Sequence, residues 1–173
     1  MPWLIIVLRL LHIVAGVFWA GASFVVVGFV EPTASATGPE GGRFLQAFAS
    51  RSGYSPSMTG AGLLTIVAGL WLMWLDSGGF QPAWMASGMG VALSVGALAG
   101  LAAAVVGLGL QSRNAMRLGA VAKSVQGQPG GPTPAQAAEM LALWGRLRSG
   151  GRWAAGFLAI AVAAMAVARY VAV

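Results

Sequence analysis

One histidine, His12, stands inside a long apolar stretch at the start of the chain. Arg9, His12, Gly16, Trp19 and Ser23 recur at three- and four-residue intervals, so on a helix they share one face, the more polar face of an apolar segment. Counted from Trp3 at the helical rise, His12 sits roughly 13 Å below one membrane boundary. An ionisable group at that depth is costly unless it faces protein or a cavity, and such residues are often functional. Three chemistries are open to it. It can bond a backbone carbonyl, Ser94 or Thr65 and fix helix register, it can ligate haem or a metal ion, or it can handle a proton or substrate. Met73, Met85, Met89 and Met165 fall in the same half of the membrane, and one imidazole with thioethers suits Cu(I), a soft ion. The candidate metal set is His12, Met85 and Met89, with the two methionines one helical turn apart.

Other chemistries find little material. Cysteine is absent, which excludes disulfides, thiolate metal sites and thiol nucleophiles. The four acidic residues are spread over the loops, without the positioned partner that general acid–base catalysis needs. Gly130-Gly131 lies in a proline-rich turn and lacks the strand and lysine of a phosphate loop. Arg9, Asp76 and Arg169 converge on one edge, where Asp76 can pair with either arginine and close the helices electrostatically.

The elements that must position these residues are four apolar stretches, 3–30, 58–75, 84–110 and 153–173. Each is long enough, at about 1.5 Å per residue, to cross a hydrocarbon layer roughly 30 Å thick. The chain is 58% hydrophobic and 8% charged, far from a soluble globular composition. The expected fold is all-α, a single transmembrane domain over 1–173 built as an integral membrane four-helix bundle. Ala34-Ser35-Ala36 looks like a cleavage signal, but no early basic cluster precedes it and the apolar run is too long. The first segment is therefore read as an uncleaved span.

The first loop holds Arg43 and Arg51, and the third holds Arg113, Arg117, Lys123, Arg146, Arg148 and Arg152. The second loop, 76–83, has no basic residue. Loops one and three share a side, which the positive-inside rule makes cytoplasmic, leaving both termini outside. Basic residues that flank spans in this way point to anionic lipid headgroups, with no nucleic-acid partner implied. Trp3, Trp71, Trp74, Trp84 and Tyr170 collect at the expected outer boundary and Trp153 at the inner one, as interfacial aromatics do.

Between 112 and 149 the pattern predicts a cytoplasmic helical hairpin extending helices three and four. The third helix continues through Met116, Val121 and Val125 to a break at 127–132. Thr133-Pro134-Ala135-Gln136 then starts a helix, with Thr as N-cap, Pro first and Gln third. Ala137, Met140, Leu141, Trp144 and Leu147 are expected on one face, and Gly150-Gly151 as a bend. In the first loop, 41–51 is a shorter amphipathic helix with Phe44 and Phe48 one turn apart. These surfaces fit scaffolding at the interface or the docking of a protein partner or second copy. Small residues form packing ridges: Gly88, Ala92, Gly96, Gly100 and Ala104; Ala155, Ala159 and Ala163; Gly62 and Gly69; Gly16 and Ala20.

The segment Leu8 to Gly21, with Arg9, His12, Trp19 and Gly21, resembles the first helix of a bacterial assemblage. Its members include the copper-resistance D family and the J-type protoporphyrinogen oxidases. The resemblance implies a multi-pass protein of the bacterial inner membrane and, from the oxidases, haem b with His12 as ligand and Arg9 and Trp19 beside it. The chain departs from the oxidases in having no lysine on its third span, and from the copper family in having no further histidine. Three readings of function follow. The thin polar inventory favours a non-enzymatic structural or accessory subunit, and the others are a haem-bearing redox protein and a copper-handling protein.

Overall fold

The computed structural model describes residues 2–126 and 128–171. Gly127 of the expected turn and the expected end of the fourth span at Val173 lie outside them. The described residues contain no strand. The helices are α1 (Pro2–Val25), α2 (Glu31–Ala36), α3 (Pro39–Arg51), α4 (Tyr54–Asp76), α5 (Pro82–Met85), α6 (Gly88–Ala104), α7 (Ser112–Val125) and α8 (Pro134–Val167). π-helical segments, Val26–Val30 and Val105–Gln111, join α1 to α2 and α6 to α7 without a break, and a short 3-10 turn, Ala168–Tyr170, follows α8.

Four helices are long and apolar enough to cross a membrane: Trp3–Ala36, Tyr54–Asp76, Gly88–Val125 and Pro134–Tyr170. Val17 and Leu98, 69% and 68% exposed, belong to a continuous apolar outer surface. Water penalises such a surface and lipid does not, which makes the chain consistent with a membrane protein. The principal pairings are α1 with α4 and α6 with α8, and α4 also packs on α6 and α1 on α8. Trp19, Ala20, Ala103, Ala104 and Leu158 form the core where the first, third and fourth long helices meet.

Several boundaries differ from the sequence reading. The first helix runs past Val30 and through Pro32. Proline in a helix interior lacks an N–H and crowds the carbonyl four residues back. Here Glu31 N–H bonds Val26 O, five residues back, so the ladder widens just before Pro32 and the proline stands in the first turn of a restarted helix. The third span begins at Gly88, not Trp84. Ser87 is an N-cap whose Oγ accepts from Gly90 N–H at 3.1 Å, and this cap separates α5 from α6. Met85 and Met89 therefore belong to different helices.

The hairpin forms as expected from its cap. Thr133 Oγ1 accepts from Gln136 N–H and Gln136 Oε1 accepts from Thr133 N–H at 2.9 Å, the reciprocal pair of a capping box. Gly150-Gly151 does not interrupt α8, which is one 34-residue helix. Its buried line is Leu143, Gly151, Ala154, Ala155, Leu158 and Ala161. The hairpin face inherits this phase: Met140, Trp144 and Leu147 are partly buried beside Leu143, which is 2% exposed, while Ala137 and Leu141, expected on the same face, are exposed, Leu141 at 75%. The four-residue ridges are corrected for the same reason. Steps of four drift by about 40° each on a 3.6-residue helix. Gly96 and Ala104 of the α6 ridge and Ala155 of the α8 ridge are buried as expected, but Ala99 and Ala103 join the buried line of α6, and Ala159 and Ala163 of α8 are exposed.

In the first loop α3 forms, with Phe44 and Phe48 rings 6.0 Å apart. A Cβ on Gly41 would run into the Ala34 carbonyl, so α3 can fold back on α2 only with glycine there. Thr133→Ala is expected to destabilise the start of α8 by about 1 kcal/mol, read as faster amide hydrogen exchange over its first turn. Unchanged protection there would show that the cap contributes nothing.

Candidate functional site

His12 faces α4. Its Nδ1 lies 2.8 Å from Thr65 O. A carbonyl offers no proton, so Nδ1–H must donate, leaving Nε2 with the lone pair in the neutral ring. The ring sits where Gly69 has no side chain. A Cβ there would stand 2.6 Å from His12 Cε1, 2.8 Å from Nδ1 and 3.7 Å from Nε2. Two turns further along α1, Trp19 repeats the arrangement against Gly62, whose Cβ would lie 3.2 Å from Trp19 Cε2. Between them the relation inverts: Gly16 receives Thr65, and a Cβ on it would lie 3.4 Å from Thr65 Cγ2. The polar face of α1 is thus a seam of large side chains set into glycine notches of an antiparallel neighbour.

The seam closes toward the start of α1 with Arg9, whose Nη2 is 3.4 Å from Asp76 Oδ2. Both groups are substantially exposed, so the pair supplies register more than energy. Arg169, the alternative partner of Asp76, instead lies over its neighbour Tyr170, 4.7 Å from the ring centroid. Ser23, toward the end of α1, is buried and donates to Trp19 O at 2.8 Å.

The structure brings Arg9, His12 and Trp19 onto one interface. It does not bring Met85 and Met89 onto that interface. They lie on α5 and at the start of α6, and α6 packs on α4 and α8. Met165 fills the notch at Gly96, where a Cβ would come within 2.9 Å of its Cγ, so it is a packing residue between α6 and α8. Among the described residues no group of three or more His, Asp or Glu could hold a metal ion.

A second polar centre lies at the opposite end of the apolar spans, and sequence reasoning missed it. Both π-helical segments pack there on α8. Gly150 and Gly151 form a landing site. Gln111 Cγ would be 3.3 Å from a Cβ on Gly150, and Val27 Cγ2 and Glu31 Oε1 3.4 and 3.5 Å from one on Gly151. With its amide oriented to satisfy both groups, Gln111 Nε2–H donates to Leu147 O and its Oε1 accepts from Gly151 N–H, each at 3.1 Å. Those are the acceptor and donor of one rung of the α8 ladder. Arg148 Nη2 donates to Ser35 Oγ at 2.6 Å, and the Glu31 carboxylate feels the charges of both Arg148 and Arg152. Tyr54, whose ring is tilted against Phe48 with centroids 4.8 Å apart, lies near Glu31 at the start of α4. The signals were a lone acid at the end of the first span, a lone amide at the end of the third, and paired glycines before the fourth. Nothing in their spacing says that they meet.

Comparison with protein-family models, with curated proteins and with solved structures finds no match to this chain. The seam makes a quantitative prediction. Gly69→Ala is expected to cost about 1–3 kcal/mol through overpacking, seen as a lower melting temperature in detergent. His12→Ala in the same chain should recover part of that loss. A double variant whose loss equals the sum of the single losses would show that the two positions do not meet.

Proposed function

We propose that this chain is a non-enzymatic structural or accessory subunit of the bacterial inner membrane. In this reading it is a multi-pass four-helix bundle with both termini outside the cytoplasm and α7 with the first half of α8 projecting into it. The observation that carries the reading is the use made of the polar face of α1. Its histidine, tryptophan and arginine are all engaged in joining α1 to α4, by the Gly69 notch, the Gly62 notch and the Asp76 pair. A subunit whose polar groups hold its own helices together has its interaction capacity on the outside. The projecting hairpin is tied internally by Arg117 Nε donating to Glu139 Oε1 at 2.6 Å, and it leaves Leu141 and Met116 outward for a protein partner or a second copy. The orientation rests on the arginines and lysine that flank the inner ends of the helices.

The tautomer of His12 supports a second reading. Nδ1–H on a carbonyl is the arrangement that presents Nε2 to a metal, as in haem b ligation or copper binding, although Met85 and Met89 stand away from this interface. One preparation separates these. The purified protein is expected to show no Soret band, to retain no copper after detergent exchange, and to elute with another subunit or as an oligomer. A Soret band, or retained copper, that disappears in His12→Ala would replace the first reading with the second. Tags on both termini should be cut by protease added to intact spheroplasts while the 126–133 turn is spared. The reverse pattern would invert the topology.

A further inference from the structure

We propose that the outward face of α8 from Gly145 to Gly156 binds the phosphate headgroup of an anionic phospholipid. The face carries an open groove of about 490 Å³ lined by Gly145, Arg148, Ser149, Arg152, Trp153 and Gly156. Arg148 and Arg152 are one helical turn apart, and neither belongs to an ion pair among the described residues. The bond from Arg148 to Ser35 uses one of its five donors and holds the guanidinium in place. Glu31 acts on both arginines but carries a single negative charge, so one unit of positive charge stays uncompensated. That surplus stands beside the Ser149 hydroxyl, a combination that takes a phosphodiester oxygen pair by forked, charge-assisted hydrogen bonds.

The depth and shape of the groove commit the occupant to lipid. Trp153, 64% exposed, begins the apolar part of α8 and marks headgroup level. Beyond the helix's own neighbouring backbone, no atom lies within 4 Å of where a Cβ on Gly145 or Gly156 would stand. The helix surface is therefore open on both sides of the arginines, and on the Gly156 side it leads into the apolar span. A glycerol backbone and the top of an acyl chain fit along that side. Free phosphate would use the charge but not the notch, and a second copy of this chain would bring another uncompensated arginine pair against the first.

The test uses the full chain in detergent and native mass spectrometry with phosphatidylglycerol and phosphatidylcholine of identical chains. Wild type is expected to retain phosphatidylglycerol preferentially, and R148Q/R152Q to lose that preference by about tenfold. Removing two charges elsewhere, with Arg113→Gln and Lys123→Gln on α7, should leave it intact. Gly156→Leu keeps every charge and fills the notch at a position with open space, and it should lower retention several-fold even if the arginine variant fails to fold. The proposal is overturned by equal retention of the two lipids in wild type, or by an equal loss in the α7 variant. Full retention in Gly156→Leu, displacement of the lipid by millimolar inorganic phosphate, or a lipid-free dimer that seals the groove would overturn it too.

Discussion

Close approach of two backbones through glycine is the constraint on which the molecule depends. In lipid, apolar side chains gain little from leaving the solvent, so helices associate only where surfaces interlock and polar groups find partners. The α1–α4 seam supplies both conditions in a seven-residue repeat. Histidine and tryptophan knobs enter the notches at Gly69 and Gly62, and Thr65 enters the notch at Gly16. The His12 bond to Thr65 O adds a polar contact at a carbonyl already used in the α4 ladder, so the imidazole N–H is satisfied and no backbone group is left unpaired. Arg9 and Asp76 hold the same register at the rim.

The α6–α8 pair uses the same physics with smaller parts. Ala103 is fully buried, and Met165, a flexible side chain, fills the space over Gly96. At the end of the spans that carries both π-helical segments the packing turns polar. Two widened helical segments place Val27, Glu31 and Gln111 against Gly150 and Gly151, and the arginines of α8 reach back to the end of the first helix. A π-helical widening shifts the phase of everything after it by one residue. In the first long helix it also lets a proline stand in an otherwise continuous rod. The two widenings thus re-aim the helices between the span and its extension.

The seam was legible as a face but not as an interface. Three- and four-residue spacing put Arg9, His12, Gly16, Trp19 and Ser23 together, and Gly62 with Gly69 was visible as a packing device. Which knob enters which notch depends on the relative rotation and sliding of two helices, and neither sequence encodes that alone. The same gap explains the misplacement of Leu141 on the hairpin face. Leu141 and Leu143 are equally apolar, and only the unbroken phase of α8 through Gly150-Gly151 turns Leu143 inward. Met85 and Met89 looked like a helical pair because apolar composition ran through Ser87, whose capping bond interrupts the helix.

Hydropathy, arginine placement and capping chemistry are local properties. The sequence by itself therefore determined the four long apolar helices, the turn before Thr133, and a polar face on the first helix. Tertiary structure alone decided that His12 is seated on Gly69, that Asp76 takes Arg9 rather than Arg169, and that Glu31, Gln111, Arg148 and Arg152 meet at one level. These outcomes turn on ångström-scale fits between elements far apart in the chain. A missing Cβ becomes a binding notch only when a neighbouring helix presents a side chain of the right size at the right height.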